Sequence, residues 1–100
     1  MAKARKWHPE DIKAAVRKSG PTLTELAEIN GLPSGACRAA LFGPNYRGEM
    51  AIATWLGKSP RTLWPNRYNV DGTPKYRVFS KHLDFAAVSP GSHVQKEKAA

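Results

Sequence analysis

The chain has 100 residues, a formal net charge of +8 at neutral pH and a sequence pI near 10.0. That length suits one domain with tails, and the charge calls for an anionic partner, nucleic acid first and an acidic membrane surface second. No apolar run approaches the ~18 residues needed to cross a bilayer, and the start lacks the long apolar segment of a secretion signal, so a soluble, cytoplasmic, basic protein with no membrane partner is expected.

Residues 1–6 form a basic arm carrying Lys3, Arg5 and Lys6. These either track a nucleic-acid backbone or minor groove, or simply belong to a solvated, frayed end. Trp7 precedes His8-Pro9-Glu10-Asp11, where proline at a first helical position and two acids mark a helix start. His8 is the cap by position, although histidine is not a favoured one, and Trp7 is expected to staple the helix start. The helix runs to about Ser19, with Ile12, Ala15 and Val16 inward and Lys13, Arg17 and Lys18 outward, until Gly20-Pro21 stops it.

The stretch from Leu23 to Phe42 reads as a helix-turn-helix. Thr22 and Glu25 have the spacing of a capping box, and Leu23, Leu26, Ala27 and Ile29 form a buried side. Ala27 is small where a second helix must cross close above it, Gly31 supplies the positive φ of a sharp turn, and Leu32 turns inward. The second helix is expected from Pro33 or Ser34 to near Phe42, with Cys37, Ala40 and Leu41 facing the first helix. Its other face carries Ser34, Gly35, Arg38 and Ala39, small or basic residues that suit a DNA major groove. Gly35 inside that helix would cost about 1 kcal/mol relative to alanine. The plainer reading is a helical hairpin with a glycine turn. Cys37 is the single cysteine, cannot form an internal disulfide, and reads as a buried core thiol.

Gly43-Pro44 breaks the second helix. Asn45-Tyr46-Arg47 reads as a loop, where an aromatic beside a cation suits phosphate contact, or as an ordinary exposed loop. Gly48 to Leu56 is a helix with few polar residues. One face must fill the core, and its excess apolar surface offers a second copy a place to pair. Gly57 ends it, Lys58 follows, and Ser59-Pro60-Arg61 starts a short helix with serine as cap. That helix closes at Leu63-Trp64-Pro65, with Trp64 as the lid of the core.

From Asn69 the composition changes. Asp71-Gly72-Thr73-Pro74 is turn chemistry, compatible with a hairpin, and Tyr76-Arg77-Val78-Phe79 suits a brief strand. Lys75, Arg77 and Lys81 either add non-specific phosphate contacts or belong to a solvated tail. Residues 89–100 have almost no apolar side chains and are expected to be disordered.

The order Trp7-His8-Pro9-Glu10-Asp11-Ile12-Lys13-Ala14-Ala15, then Asn30-Gly31-Leu32, Leu56-Gly57-x-Ser59-Pro60 and Leu63-Trp64-Pro65-x-Arg67-Tyr68 resembles the Ner family over roughly residues 7 to 68. These are small DNA-binding regulators of Mu-like transposable phages, with bacterial Ner-like (Nlp) relatives. The resemblance implies an all-α fold: a compact bundle of about five short helices around a central helix-turn-helix, similar to the lambda-repressor DNA-binding domain; composition, not the resemblance, adds the expectation of a flexible C-terminal extension. It also implies repression of early phage transcription. The carried-over residues are Ser34, Gly35, Arg38 and Ala39, with Asn45 and Arg47 nearby. Two features depart from the family pattern. Gly35 and Ala36 leave the recognition helix with few polar residues, and the chain runs some thirty residues past Tyr68.

The sequence therefore predicts a sequence-specific regulator of double-stranded DNA. Arg47, Lys58 and the amino-terminal arm would hold phosphates while Arg38 and Ser34 read base edges. Arginine bonding guanine bidentately discriminates by about 1–3 kcal/mol, so few readers imply a homodimer on neighbouring half-sites or indirect reading of DNA shape. Repression would be occlusion of polymerase. The rivals are a protein-interaction module whose Met50-to-Leu56 helix binds a transposase or polymerase subunit, and an activator of the Nlp type. Catalysis is not expected: His8, His82 and His93 are scattered, and neither paired-cysteine metal spacing nor a glycine-rich phosphate loop occurs. No cofactor and no metal are expected. RNA binding lacks an aromatic platform.

Overall fold

A computed structural model describes residues 7–78 and 85–89. The arm with Lys3, Arg5 and Lys6, the residues Phe79, Lys81 and His82, and the tail beyond Ser89 with His93 lie outside the described residues.

Five helices follow one another: α1 Pro9–Lys18, α2 Leu23–Ile29, α3 Ala36–Phe42, α4 Tyr46–Leu56 and α5 Pro60–Leu63, with a 3₁₀ turn at Pro65–Arg67. The starts of α1, α2, α4 and α5 are each capped by a side chain, and proline also opens α1 and α5. At α1, His8 Nδ1 accepts from the Glu10 amide at 3.0 Å while the Asp11 carboxylate accepts from the His8 amide at 3.1 Å. At α2, Thr22 and Glu25 form the expected reciprocal box, which meets helix-terminal donors that would otherwise go unpaired. Ser59 caps α5, and Pro60 occupies its first turn.

The α2–α3 turn follows from backbone chemistry. Gly31 has φ +71°, its amide bonds the Glu28 carbonyl at 3.0 Å, and the Leu32 amide reaches back to Ala27 at 2.9 Å. This pair of bonds terminates α2 and carries Leu32 into the core, where it is buried.

Helix α4 is the spine, in contact with each of the other four helices. Its Ile52 and the surrounding Ile12, Val16, Leu26 and Leu63 are fully buried. Trp64 closes the base as expected, buried beneath the Arg67 guanidinium, which lies 5.2 Å from its ring. Trp7 packs half-buried on the core at the start of α1. The α1 end is tied to α4 through Ser19. The Trp55 indole donates to Ser19 Oγ at 2.6 Å, and that hydroxyl donates to the Val16 carbonyl at 2.6 Å.

The sequence reading needs correction at four places. Helix α3 begins at Ala36, so Ser34 and Gly35 lie in the preceding turn and Gly35 is the N-cap rather than an interior residue. The cause is tertiary: Ala36 is buried and its carbonyl abuts α4 at Gly48. Asn45-Tyr46-Arg47 is not a loop. Asn45 caps α4 by accepting from the Gly48 amide at 3.1 Å, and Tyr46 and Arg47 form the first turn. The surplus apolar face of α4 is consumed within the chain, since Ala51, Ile52, Ala53 and Trp55 are buried and Met50 and Leu56 half-buried. Finally, residues 76–78 are not a strand. An isolated antiparallel bridge joins Tyr68 to Pro74, closing a turn at Asp71-Gly72.

Two described parts of the extension return to the helical body. Tyr76 reaches α4. Phe85 packs against the core, and the Val88 amide donates to Asn30 Oδ1 at 2.6 Å, beside the helix-turn-helix turn.

Candidate nucleic-acid interface

Helix α3 divides cleanly. Ala36, Cys37, Ala40 and Leu41 are buried, whereas Arg38, Ala39 and Phe42 are exposed. Ser34, also exposed, stands just before the helix in the turn. Four of the residues singled out from sequence therefore fall in one stretch: Ser34 and Gly35 in the turn, Arg38 and Ala39 on the open side of α3. Helices α2 and α4 support this element from behind, so its open side is rigidly presented.

What holds α3 against α4 is a close crossing. A Cβ built on Gly48 would stand 2.5 Å from the Ala36 carbonyl oxygen and 3.1 Å from the Ala40 methyl. Beneath the crossing lies Glu49, wholly buried. Its Oε2 accepts from Arg67 Nη1 and from the Asn45 amide, each at 2.9 Å. Its Oε1 accepts from the Tyr68 and Tyr76 hydroxyls, each at 2.5 Å. Arg67 Nη1 also donates to the Ala40 carbonyl at 2.6 Å. A buried carboxylate supplied with four donors is compensated, and its counter-charge reaches directly to α3. Burial, followed by the bond to Glu49, pushes both phenol pKa values above their usual range.

The other expected phosphate contacts are dispersed. Asn45 spends its side-chain oxygen on the α4 cap. Arg47 is half-buried with its guanidinium 4.9 Å from the Phe85 ring, and its Nε is buried without a hydrogen-bond partner among the described residues. Lys58 is exposed in the α4–α5 link, its ammonium 5.7 Å from the Trp7 ring.

Sequence reasoning missed Phe42 and the Glu49 cluster. The signal for Phe42 was present: with Cys37, Ala40 and Leu41 inward, the next residue turns outward. The signal for Glu49 was a lone acid in an otherwise apolar helix.

A short helix, a Gly31 turn and a second helix with an exposed small and basic stripe together define a helix-turn-helix DNA-binding domain. The chain belongs to the winged helix-turn-helix DNA-binding family, whose pattern matches residues 6–78. It is 39% identical over 82 residues to the sugar fermentation stimulation protein B of Escherichia coli strain K12, covering 75% of this chain and 89% of that protein. It is also similar to the negative regulator of transcription of Escherichia phage D108, at 40% identity over 62 residues, covering 62% of this chain and 85% of that one. The negative regulator of transcription of Escherichia phage Mu is 35% identical over 66 residues, covering 66% of this chain and 88% of the regulator. The expected Ner-type resemblance is thus found, as is the all-helical fold. No described helix is long and apolar enough to cross a membrane.

Proposed function

We propose that this protein is a sequence-specific transcriptional repressor that places α3 in the major groove of double-stranded DNA and occludes polymerase at early phage-type promoters. The observation that carries the reading is the exposed Arg38–Ala39 side of α3, held rigidly by α2 and α4 in a chain of net charge +8. Relatives named as negative regulators of transcription support it. Arg38 bonds guanine, Ser34 and Gly35 let the turn approach the duplex, and Lys3, Arg5, Lys6 and Lys58 contact phosphates. Asn45 and Arg47 serve the fold and the phosphate contact together. So short a reading surface calls for two copies on adjacent half-sites. The protein works by binding, without catalysis, in the bacterial cytoplasm at the nucleoid. Capture of a transposase or polymerase subunit by α4 is disfavoured, because Ala51, Ile52, Ala53 and Trp55 are already buried.

The test is selection from a random duplex pool, then titration of the selected and a scrambled duplex at two salt concentrations. Tighter binding to the selected duplex, with a steep salt slope for both, is expected. Equal binding would leave a non-specific binder, and no binding at low salt would overturn the reading.

A further inference from the structure

Phe42 ends α3 with 73% of its surface exposed. On a helix each residue turns by about 100°, which sets Phe42 between Arg38 and Ala39, at the middle of the exposed side. The buried residues Cys37, Ala40 and Leu41 occupy the opposite arc. The two residues that follow, Gly43 and Pro44, carry no long side chain to cover the ring. Val70 is similarly exposed, at 88%, but it belongs to the Asp71-Gly72 turn region and not to α3.

We propose that Phe42 reads thymine, packing its ring on the 5-methyl group in the major groove beside a guanine bonded by Arg38. This rests on the DNA-binding reading above and adds a base-specific residue to it. Bases in the major groove are told apart by hydrogen bonds and by apolar contact with the thymine methyl. The exposed side of α3 holds one hydrogen-bonding side chain, Arg38, so apolar contact is the other means available to this helix. Ala39 adds a second, smaller methyl surface beside the ring. Residues four apart on a helix stand about 5–6 Å apart, and base pairs rise by about 3.4 Å. The guanine and thymine therefore lie one or two steps apart.

The experiment uses the full chain and the duplex selected from the random pool, with each thymine replaced in turn by uracil. This removes the methyl group and leaves pairing intact. Wild-type protein should lose about fourfold in affinity at one or two positions, the equivalent of one apolar carbon. Phe42→Ala should bind thymine and uracil duplexes alike at those positions while still preferring the guanine, and Phe42→Leu should recover part of the sensitivity. Unfolding midpoints of both variants check that the fold is unchanged. Wild-type indifference to uracil everywhere, or an undiminished uracil effect in Phe42→Ala, overturns the proposal and leaves the DNA reading standing. A change in self-association with uracil sensitivity intact overturns it too, since Phe42 would then face a second copy. If no duplex is selected at all, the parent reading fails first.

Discussion

The Tyr76 hydroxyl donates to Glu49 Oε1 at 2.5 Å, across 27 positions of sequence. This bond fastens the segment after the last helix to the helix that backs α3. Glu49→Ala would leave Arg67 without its counter-charge and two phenols without their acceptor. A loss of about 3–5 kcal/mol is expected, against about 1–2 kcal/mol for Tyr76→Phe. Urea unfolding checks both, and the double variant should cost less than the sum because the groups share one partner.

The same cluster sets an alkaline limit. Both phenols have raised pKa values in the folded state, while in the unfolded chain tyrosine ionises near pH 10. The unfolded state therefore releases protons first as pH rises. The stabilisation is complete below about pH 10 and is lost progressively above it. Unfolding midpoints between about pH 8 and 11 should fall for wild type, and fall less for the Tyr68→Phe, Tyr76→Phe double variant.

Gly48→Ala tests the α3–α4 crossing. The added methyl meets a backbone carbonyl, which cannot swing aside, and overpacking of this kind costs about 1–3 kcal/mol. For a domain of this size that corresponds to a fall in Tm of roughly 4–8 °C per kcal/mol. Gly35→Ala meets nothing within 4 Å and should stay within about 1 kcal/mol of wild type.

Arg38→Ala should flatten preference among duplexes, losing about 1–3 kcal/mol of discrimination at one guanine. The Lys3→Ala, Arg5→Ala double variant should weaken binding to all duplexes alike and reduce the salt slope by about two. Competition titrations at two salt concentrations separate these effects. Unchanged sequence preference in Arg38→Ala would mean that α3 does not enter the groove as proposed.

Cys37 is fully buried on the inner side of α3, and burial pushes its thiol from 9.0 up to about 12. A thiol-specific reagent should leave the native protein unlabelled at pH 8, because the reactive thiolate is suppressed. Labelling should appear with urea in step with global unfolding. Labelling without unfolding would show that α3 lifts from the core locally.

Where the chemistry is local, sequence was a sufficient guide. The Thr22–Glu25 box, Gly31 at the turn, Ser59-Pro60 and the inward repeat of Cys37, Ala40 and Leu41 each depend on neighbours within a few residues, and all appear in the structure. The start of α4 was legible too, because Asn45 is a favoured cap residue, but the adjoining Gly43-Pro44 and Gly48 suggested a longer break.

Sequence by itself determined a basic, all-helical chain with a helix-turn-helix, since capping, helical period and net charge are properties of adjacent residues and of composition. Tertiary structure alone decided where α3 begins, because the burial of Ala36 against Gly48 joins residues from two helices. It alone brought Arg67, Tyr68 and Tyr76 onto Glu49, a convergence with no sequence period, and took Arg47 under Phe85. It also left Phe42 exposed: the helical period turns the ring outward, but only the packing of the other described elements determines that most of it stays open.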